Sequence, residues 1–189
     1  MIMYTFENML AVTNRKLCAV PFLEQVERLA SFHPAGILLR EKDLNEAEYE
    51  ALARQVLEVC QKQKATCILH SWPQAARRLG CKNLHLPMES LRRHAGKLSD
   101  FICLGASVHS AAEALEAQKL GATYVTAGHV FLTGCKKGVP PRGLDFLREV
   151  CETVDIPVYG IGGVNPENFR QILEQGAAGY CVMSQAMRL

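Results

Sequence analysis

Apolar residues along the chain fall into short runs, and longer segments with helical spacing separate these runs. The runs lack polar–apolar alternation, which is typical of strands that are covered on both faces. The predicted strands are 9–13, 36–40, 66–70, 83–87, 101–107, 123–128, 156–163 and 179–184. The predicted helices are 21–32, 46–63, 72–79, 89–96, 110–120, 143–153 and 166–175. Strands that alternate with helices in this way indicate a parallel α/β protein.

Local signals mark several of the helix boundaries. Asn45 precedes the second helix with Glu48 three residues on, which predicts a capping box, and Ser110 is a typical cap for the fifth helix. Pro166 is expected to open the last helix and Gly176 to end it.

Eight strand–helix units favour closure of the sheet into a compact (β/α)₈ TIM barrel, with residues 1–189 as a single domain. The last helix should be truncated, because only QAMRL follows Ser184. The alternative is an open, doubly wound sheet. No G-x-G-x-x-G follows the first strand, which speaks against the dinucleotide-binding form of that alternative.

Composition narrows the classes of function. Hydrophobic residues make up 49% and charged residues 21%, as in ordinary soluble proteins, and the net charge is only +2. Neither a basic arm for nucleic acid nor an apolar stretch of membrane-spanning length is visible, so we expect a cytoplasmic protein with neither nucleic acid nor membrane as a partner. None of the eight cysteines forms a C-x-x-C pair. They are expected to be reduced and buried.

The segment 124–143, YVTAGHVFLTGCKKGVPPRG, carries the most chemistry. A strand leads into a loop that holds His129, Lys136 and Arg142. Imidazole suits proton transfer near neutral pH, and cationic side chains attract anions. Because α/β barrels place their chemistry after the strands, we expect action on a small phosphorylated molecule, with 132–142 as a flap. The alternative is a structural histidine.

Turns after the last two strands predict a phosphate site. Gly162 and Gly163 follow the seventh strand, and Ser184 follows the eighth. Backbone N–H groups of such turns bind phosphate in (β/α)₈ barrels. A tight turn that simply requires glycine is the alternative.

Two further groups of polar residues follow strands. Arg40 and Lys42 come after the second strand and could bind a carboxylate or a phosphate, although a solvated charge cluster is the alternative. Ser107 and His109 end the fifth strand and could face a substrate on alternate residues. In the alternative, Ser110 caps the next helix and His109 packs there.

Several motifs together carry a resemblance that covers nearly the whole chain. GASVHSAAEA, TAGHVF, CKKG, IPVYGIGGVNPEN and GAAGYCVMS, with LLREKDL and LHLP more loosely, resemble the thiamine phosphate synthase superfamily. The resemblance implies a (β/α)₈ barrel that handles thiazole phosphate. The synthases usually have an Asn-Asp pair after strand three and an Asp in an H-L-G-Q-x-D stretch, whose carboxylates hold magnesium on a pyrophosphate. Here His70, Ser71 and Ser90 stand in those places.

His129 stands where the synthases usually have proline, and with the following C-K-K-G it resembles the thiazole tautomerase branch of the superfamily. The resemblance implies an enzyme without metal or cofactor that aromatises a thiazole carboxylate phosphate by moving a proton from ring carbon C2 to the exocyclic carbon. In this interpretation His129 is the acid and base. Gly162, Gly163 and Ser184 bind the phosphate, and Arg40 or Lys42 binds the carboxylate.

Two other functions stay open at this point. One is thiamine phosphate synthase with a rearranged metal site. The other is a non-catalytic regulatory barrel that binds thiazole phosphates or a partner protein. For any of the three functions we expect a homodimer, because helix 46–63 and the short C-terminus would leave apolar barrel surface exposed.

Overall fold

The computed structural model describes residues 4–134 and 138–189. Eight parallel strands follow one another in chain order around a closed barrel. They are β1 (Met9–Val12), β2 (Gly36–Leu39), β3 (Cys67–His70), β4 (Asn83–Pro87), β5 (Cys103–Val108), β6 (Tyr124–Gly128), β7 (Val158–Ile161) and β8 (Gly179–Val182). The predicted TIM-barrel class is confirmed, and the open doubly wound sheet is wrong.

Helices follow the strands at the predicted places. They are α1 (Phe22–Ser31), α2 (Glu46–Lys62), α3 (Pro73–Arg78), α4 (Met88–Arg93), α5 (Ala111–Lys119), α6 (Gly143–Thr153) and α7 (Phe169–Leu173). After β8 the chain makes a single 3₁₀ turn at Ala186–Arg188, which agrees with the truncated last helix expected from the sequence. None of the helices in residues 4–134 and 138–189 is long and apolar enough to cross a membrane.

The predicted cap of α2 is present. The Asn45 side chain accepts a hydrogen bond from the Glu48 backbone at 3.0 Å, and the Glu48 carboxylate accepts one from the Asn45 backbone at 3.1 Å. This reciprocal pair satisfies two N–H groups that a helix start leaves without partners. Ser110 caps α5 by accepting a hydrogen bond from the Glu113 backbone at 3.1 Å.

The prediction that Pro166 opens the last helix is wrong, because α7 begins at Phe169. The Asn165 side chain accepts hydrogen bonds from the backbone N–H groups of Glu167 and Asn168, at 2.8 and 3.1 Å. These bonds hold the residues after Asn165 in a turn, as asparagine side chains often do, and the helix starts only after it.

The described chain divides into two compact units, which we treat separately. The amino-terminal unit comprises residues 5–85 and 182–189, and the carboxyl-terminal unit comprises residues 86–181 with Tyr4. The single domain expected from the sequence stays a prediction.

In the carboxyl-terminal unit, strand pairing decides which side chains face the helices. Ser107 lies opposite Thr126, whereas Ala127 lies opposite Gly160. A Cβ atom on Gly160 would lie 2.8 Å from Ile172 of α7, so this row of residues faces the helices. Because side chains alternate along a strand, Ser107 and Thr126 point to the interior of the barrel.

The same alternation places two histidines inside the amino-terminal unit. A Cβ atom on Gly36 would lie 3.1 Å from Ile68, so Gly36 and Ile68 share the interior face. His70 lies two residues beyond Ile68 on β3 and is paired with His85 of β4. Both histidines therefore project inward, and both are at most 5% exposed.

Candidate active site

The carboxyl end of β6 positions His129, the residue that directly follows Gly128. The Val130 backbone donates a hydrogen bond to the Ile161 carbonyl at 2.9 Å, and the Phe131 backbone donates one to the Gly162 carbonyl at 3.0 Å. The chain thus continues along β7 beyond the end of β6, which holds the backbone on both sides of His129.

The chain returns to the same place at the start of α6. The Arg142 backbone donates to the His129 carbonyl at 2.9 Å, and the Gly143 backbone donates to the Val130 carbonyl at 3.1 Å. Both ends of the loop expected to form a flap are therefore anchored beside His129. Lys136, predicted to bind substrate, lies outside the described residues.

The His129 ring is more enclosed than we expected for a residue at the barrel mouth, since the residue is only 4% exposed. Its Nε2 atom lies 3.3 Å from the Val139 carbonyl oxygen. A carbonyl can only accept, so Nε2 carries the hydrogen and Nδ1 of the neutral ring keeps its lone pair. In residues 4–134 and 138–189 this buried Nδ1 atom has no hydrogen-bond partner. The Nδ1 lone pair of His129 can therefore accept a proton from a substrate.

The glycine pair after β7 lies against the same backbone. Gly162 and Gly163 have φ angles of +101° and +69°, a region that side chains with a Cβ atom rarely adopt. A Cβ atom on Gly162 would collide with the His129 side chain, and one on Gly163 would lie 2.8 Å from the Phe131 Cβ atom. The structure therefore brings His129 and the glycine pair together. Close packing already explains both glycines, and phosphate binding stays a prediction.

His109 supports the residue before His129. Its ring is exposed, and its Nδ1 atom lies 2.8 Å from the Gly128 carbonyl oxygen, so Nδ1–H donates to that oxygen. The His109 backbone N–H donates to the Glu113 carboxylate at 2.8 Å. Ser110 caps α5, as in the alternative. The His109 ring, however, contacts the turn that presents His129.

Ser107 lies one strand away from this turn. It accepts a hydrogen bond from the Thr126 hydroxyl at 3.4 Å, is partly exposed and points to the interior side of β5. Its predicted contact with substrate is not decided by this geometry.

In the amino-terminal unit, the carboxyl ends of β2 and β3 enclose a cavity of about 200 Å³. Its lining residues are Glu41, Lys42, Leu44, Tyr49, His70, Ser71 and Trp72. The Tyr49 hydroxyl donates to the Leu39 carbonyl and accepts from the His70 backbone, both at 2.7 Å, and so joins the two strands. The Ser71 hydroxyl lies 2.6 Å from Nδ1 of His70.

Burial and nearby positive charges lower the pKa of His70 in this cavity and of the neighbouring His85. Burial, together with the nearby His85, Arg40 and Lys42, holds the pKa of His70 well below its usual range. Burial and Arg40 lower the pKa of His85 to about 3. Arg40 and Lys42 are therefore near His70, as anion-binding residues at this end of the strands would be.

Glu41 has a role that the sequence did not reveal. It is 4% exposed, and its carboxylate accepts hydrogen bonds from the Thr13 hydroxyl at 2.7 Å and from the Arg15 guanidinium at 3.0 Å. The charged stretch after β2 is thus only partly a solvated cluster, because Glu41 ties this end of β2 to the residues after β1. In the sequence, Thr13 and Arg15, which come shortly after β1, were the residues that could have pointed to this role of Glu41.

Ser184 is exposed and lies two residues before the final 3₁₀ turn. It belongs to the amino-terminal unit, as do Arg40 and Lys42, whereas His129, Gly162 and Gly163 belong to the other. Their predicted cooperation on one substrate stays a prediction. In the described ranges no three His, Cys, Asp or Glu side chains are placed to hold a metal ion.

The fold and the polar groups at its strand ends define a class: a closed, parallel (β/α)₈ barrel with a histidine directly after β6. The family model described as thiamine monophosphate synthase matches residues 9–186, and the chain belongs to this family. The family predicted from the sequence motifs is thereby confirmed.

Individual relatives agree with this membership. A thiamine-phosphate synthase of Pyrococcus abyssi is 33% identical, covering 93% of this chain and 84% of the relative. Thiamine-phosphate synthase 2 of Streptococcus pneumoniae serotype 4 is also 33% identical, covering 94% and 86%. The structure of thiamine phosphate pyrophosphorylase from Pyrococcus furiosus superposes with a TM-score of 0.82 at 28% identity, covering 97% of this chain and 88% of that chain. These names are those of synthases, and they do not single out the tautomerase branch.

Proposed function

We propose that this protein is a thiazole tautomerase that aromatises a thiazole carboxylate phosphate. The observation that carries the proposal is the buried Nδ1 lone pair of His129, which has no partner in the described chain. The backbone and Cβ atom of the same residue lie against Gly162. A proton shift between two carbons needs a group that can take up the proton and release it again. His129 has a nitrogen ready for that role.

The contacts of His129 support a simple sequence of steps. Nδ1 takes the proton from ring carbon C2 of the substrate, and the ring becomes an imidazolium. The hydrogen bond from Nε2–H to the Val139 carbonyl strengthens as the ring gains positive charge, which stabilises this state. Nδ1 then returns the proton to the exocyclic carbon. Because Nδ1 is buried, the residues around the ring must shift to admit substrate.

We assign the other predicted site residues to the two anionic groups of the substrate, its phosphate and its carboxylate. We assign the phosphate to Gly162, Gly163 and Ser184, because turns after the last two strands of such barrels bind phosphate. Arg40 or Lys42 is the partner of the carboxylate, since both cationic side chains lie near His70 at the carboxyl ends of β2 and β3 and suit an anion. Ser107 and His109 are further contacts at the end of β5.

The test of the proposal is His129→Gln, assayed for aromatisation of the carboxylated thiazole phosphate. We expect normal folding and a rate loss on the order of 10²–10⁴-fold. His94→Gln is the matched control, because His94 also has a ring nitrogen on a carbonyl, Nδ1 at 2.8 Å from the Ser90 oxygen, but follows α4. A His129→Gln variant that reacts at the rate of the control would contradict the proposal.

The burial of His129 gives a second, independent measurement. A proton held on a buried nitrogen exchanges slowly with solvent, so a single base should deliver part of the C2 hydrogen to the exocyclic carbon. In deuterated water, the product should therefore retain some protium at that carbon. Complete deuteration there would show that solvent, and not His129, supplies the proton.

A second candidate is thiamine phosphate synthase, which the names of the relatives favour. Incubation with pyrimidine pyrophosphate, thiazole phosphate and magnesium tests it. Thiamine phosphate formed faster than the tautomer is aromatised would reverse our order. Calorimetric binding of thiazole phosphate with neither activity would instead favour a non-catalytic barrel. The expected homodimer is a separate prediction, which light scattering tests.

A further inference from the structure

Three cysteines of the amino-terminal unit line one cavity of about 290 Å³. Cys60 lies in the last turn of α2, Cys67 opens β3, and Cys81 lies two residues before β4. The cavity is therefore at the opposite end of β3 from His70, away from the residues to which we assign the chemistry. All three thiols are free.

Backbone contacts hold the three thiols in one cluster. The Cys81 sulfur lies 4.0 Å from the Cys67 carbonyl oxygen and 3.4 Å from that of Asn83. The Ala65 backbone donates to the Cys60 carbonyl at 2.9 Å, which turns the chain back from α2 toward β3. Cys60 and Cys67 line the same cavity and share a hydrogen bond between their thiols, so they are neighbours although a turn separates them in the chain.

Cys60 and Cys67 differ in chemical character. A hydrogen bond from the Cys67 thiol lowers the pKa of Cys60. The same hydrogen bond and burial raise the pKa of Cys67. Because the thiolate is the reactive form of cysteine, Cys60 is the nucleophile of the pair and Cys67 keeps its proton. Both side chains are at most 5% exposed, so only a small reagent that enters the cavity reaches them.

We propose that Cys60 and Cys67 form a peroxide-sensitive dithiol that closes to a disulfide. Cys60 sulfur attacks one oxygen of hydrogen peroxide, the O–O bond breaks, and the departing hydroxide takes up the Cys60 thiol proton as water. The sulfur is thereby oxidised to a sulfenic acid. Cys67 sulfur then attacks it, the S–S bond forms, the S–O bond breaks, and a second water leaves with the Cys67 proton.

The test treats the reduced full chain with hydrogen peroxide and maps crosslinked peptides by mass spectrometry. We expect a Cys60–Cys67 peptide lighter by two hydrogen atoms, which disappears on reduction. Cys60→Ser should abolish this product, whereas Cys81→Ser should retain it. Cys151→Ser is the control, because Cys151 lies in α6 and burial raises its pKa to about 11.

Other products would overturn the proposal. A crosslink of Cys81 to Cys60 or Cys67 would assign the wrong pair, and oxidation without any crosslink would exclude the dithiol. The wild-type chain gives a second readout that does not depend on folding of a variant. A trivalent arsenical bridges adjacent thiols, so it should protect Cys60 and Cys67 together from alkylation after unfolding. Alkylation of both residues at the untreated level would contradict the proposal. Neither experiment depends on the proposed tautomerase activity.

Discussion

Both units of this barrel contain buried histidines in or directly after a parallel strand, yet the surroundings of these histidines differ. In the amino-terminal unit the rings of His70 and His85 stack 5.8 Å apart, and Ser71 contacts Nδ1 of His70. In the carboxyl-terminal unit His129 is buried to a similar degree, but its Nδ1 atom has no partner within the described residues. A buried histidine in or directly after a strand is therefore not by itself evidence of a proton-transfer group.

The difference lies in charge and in hydrogen bonding. Burial first, and then the positive charges of Arg40 near both rings and Lys42 near His70, lower the pKa of His70 and His85, so these histidines are poor proton acceptors at neutral pH. The His129 ring instead donates from Nε2–H to the Val139 carbonyl oxygen, and its Nδ1 atom has no partner in the described residues. A histidine that cycles between its two forms needs such an acceptor on one nitrogen and an open lone pair on the other.

The comparison predicts that Gly162→Ala has the largest effect, because it disturbs only the His129 side. The new Cβ atom would collide with the His129 side chain, and the φ angle of +101° disfavours any residue with a Cβ atom. We expect a rate loss of about 10²-fold or more in aromatisation and a clearly lower melting temperature.

Gly134→Ala is the matched control for this substitution. Among the residues that the structure describes, none would lie within 4 Å of its Cβ atom, so the substitution should leave both the rate and the melting temperature unchanged. A Gly162→Ala variant that matched Gly134→Ala in both measurements would mean that His129 does not need its present placement.

In the amino-terminal unit, His85→Gln should change how the free energy of unfolding depends on pH. The pKa of His85 lies near 3 in the folded chain and near 6.5 when unfolded, so acid favours the unfolded state. Stability should be intact above about pH 6.5 and should fall toward pH 3 by about 1.4 kcal/mol per pH unit for His85. His85→Gln should remove the share of this slope that belongs to His85 and leave the share of His70, as measured by urea unfolding between pH 4.5 and 7.

Leu84→Ala separates this linkage from a general loss of stability. Leu84 is fully buried in the same strand, so the variant should be less stable at every pH while keeping the wild-type slope. If His85→Gln also kept that slope, the lowered pKa of His85 would be wrong.

The elements of this fold could be predicted because their signals are local. The apolar runs and the caps at Asn45 and Ser110 need only neighbouring residues, and each resulting strand or helix lies within a few residues of its predicted range. The start of α7 was missed, because Asn165 makes side-chain bonds that no periodicity reveals.

The site was predictable in its residues and not in its contacts. His129 and the glycine pair follow strands and match family motifs, so the sequence could point to them. The contact of His109 with Gly128 spans 19 residues, and that of Glu41 with Thr13 spans 28. Such pairs depend on which strands become neighbours. The hydrogen bond that orients the His129 ring depends on the return of the loop to β6, which composition does not encode.

The smallest expected effect concerns His109, whose ring holds the Gly128 carbonyl through Nδ1 at 2.8 Å. His109→Ala removes one hydrogen bond, worth about 1 kcal/mol, and should lower the rate of aromatisation about fivefold through displacement of His129. His109→Asn should restore most of the rate, because its amide places a donor close to the position of Nδ1. The pH profile should not move in either variant, since His109 acts through position and transfers no proton. A shifted pH profile would show that His109 itself transfers a proton. His129 would then not be the only proton-transfer histidine of the carboxyl-terminal unit.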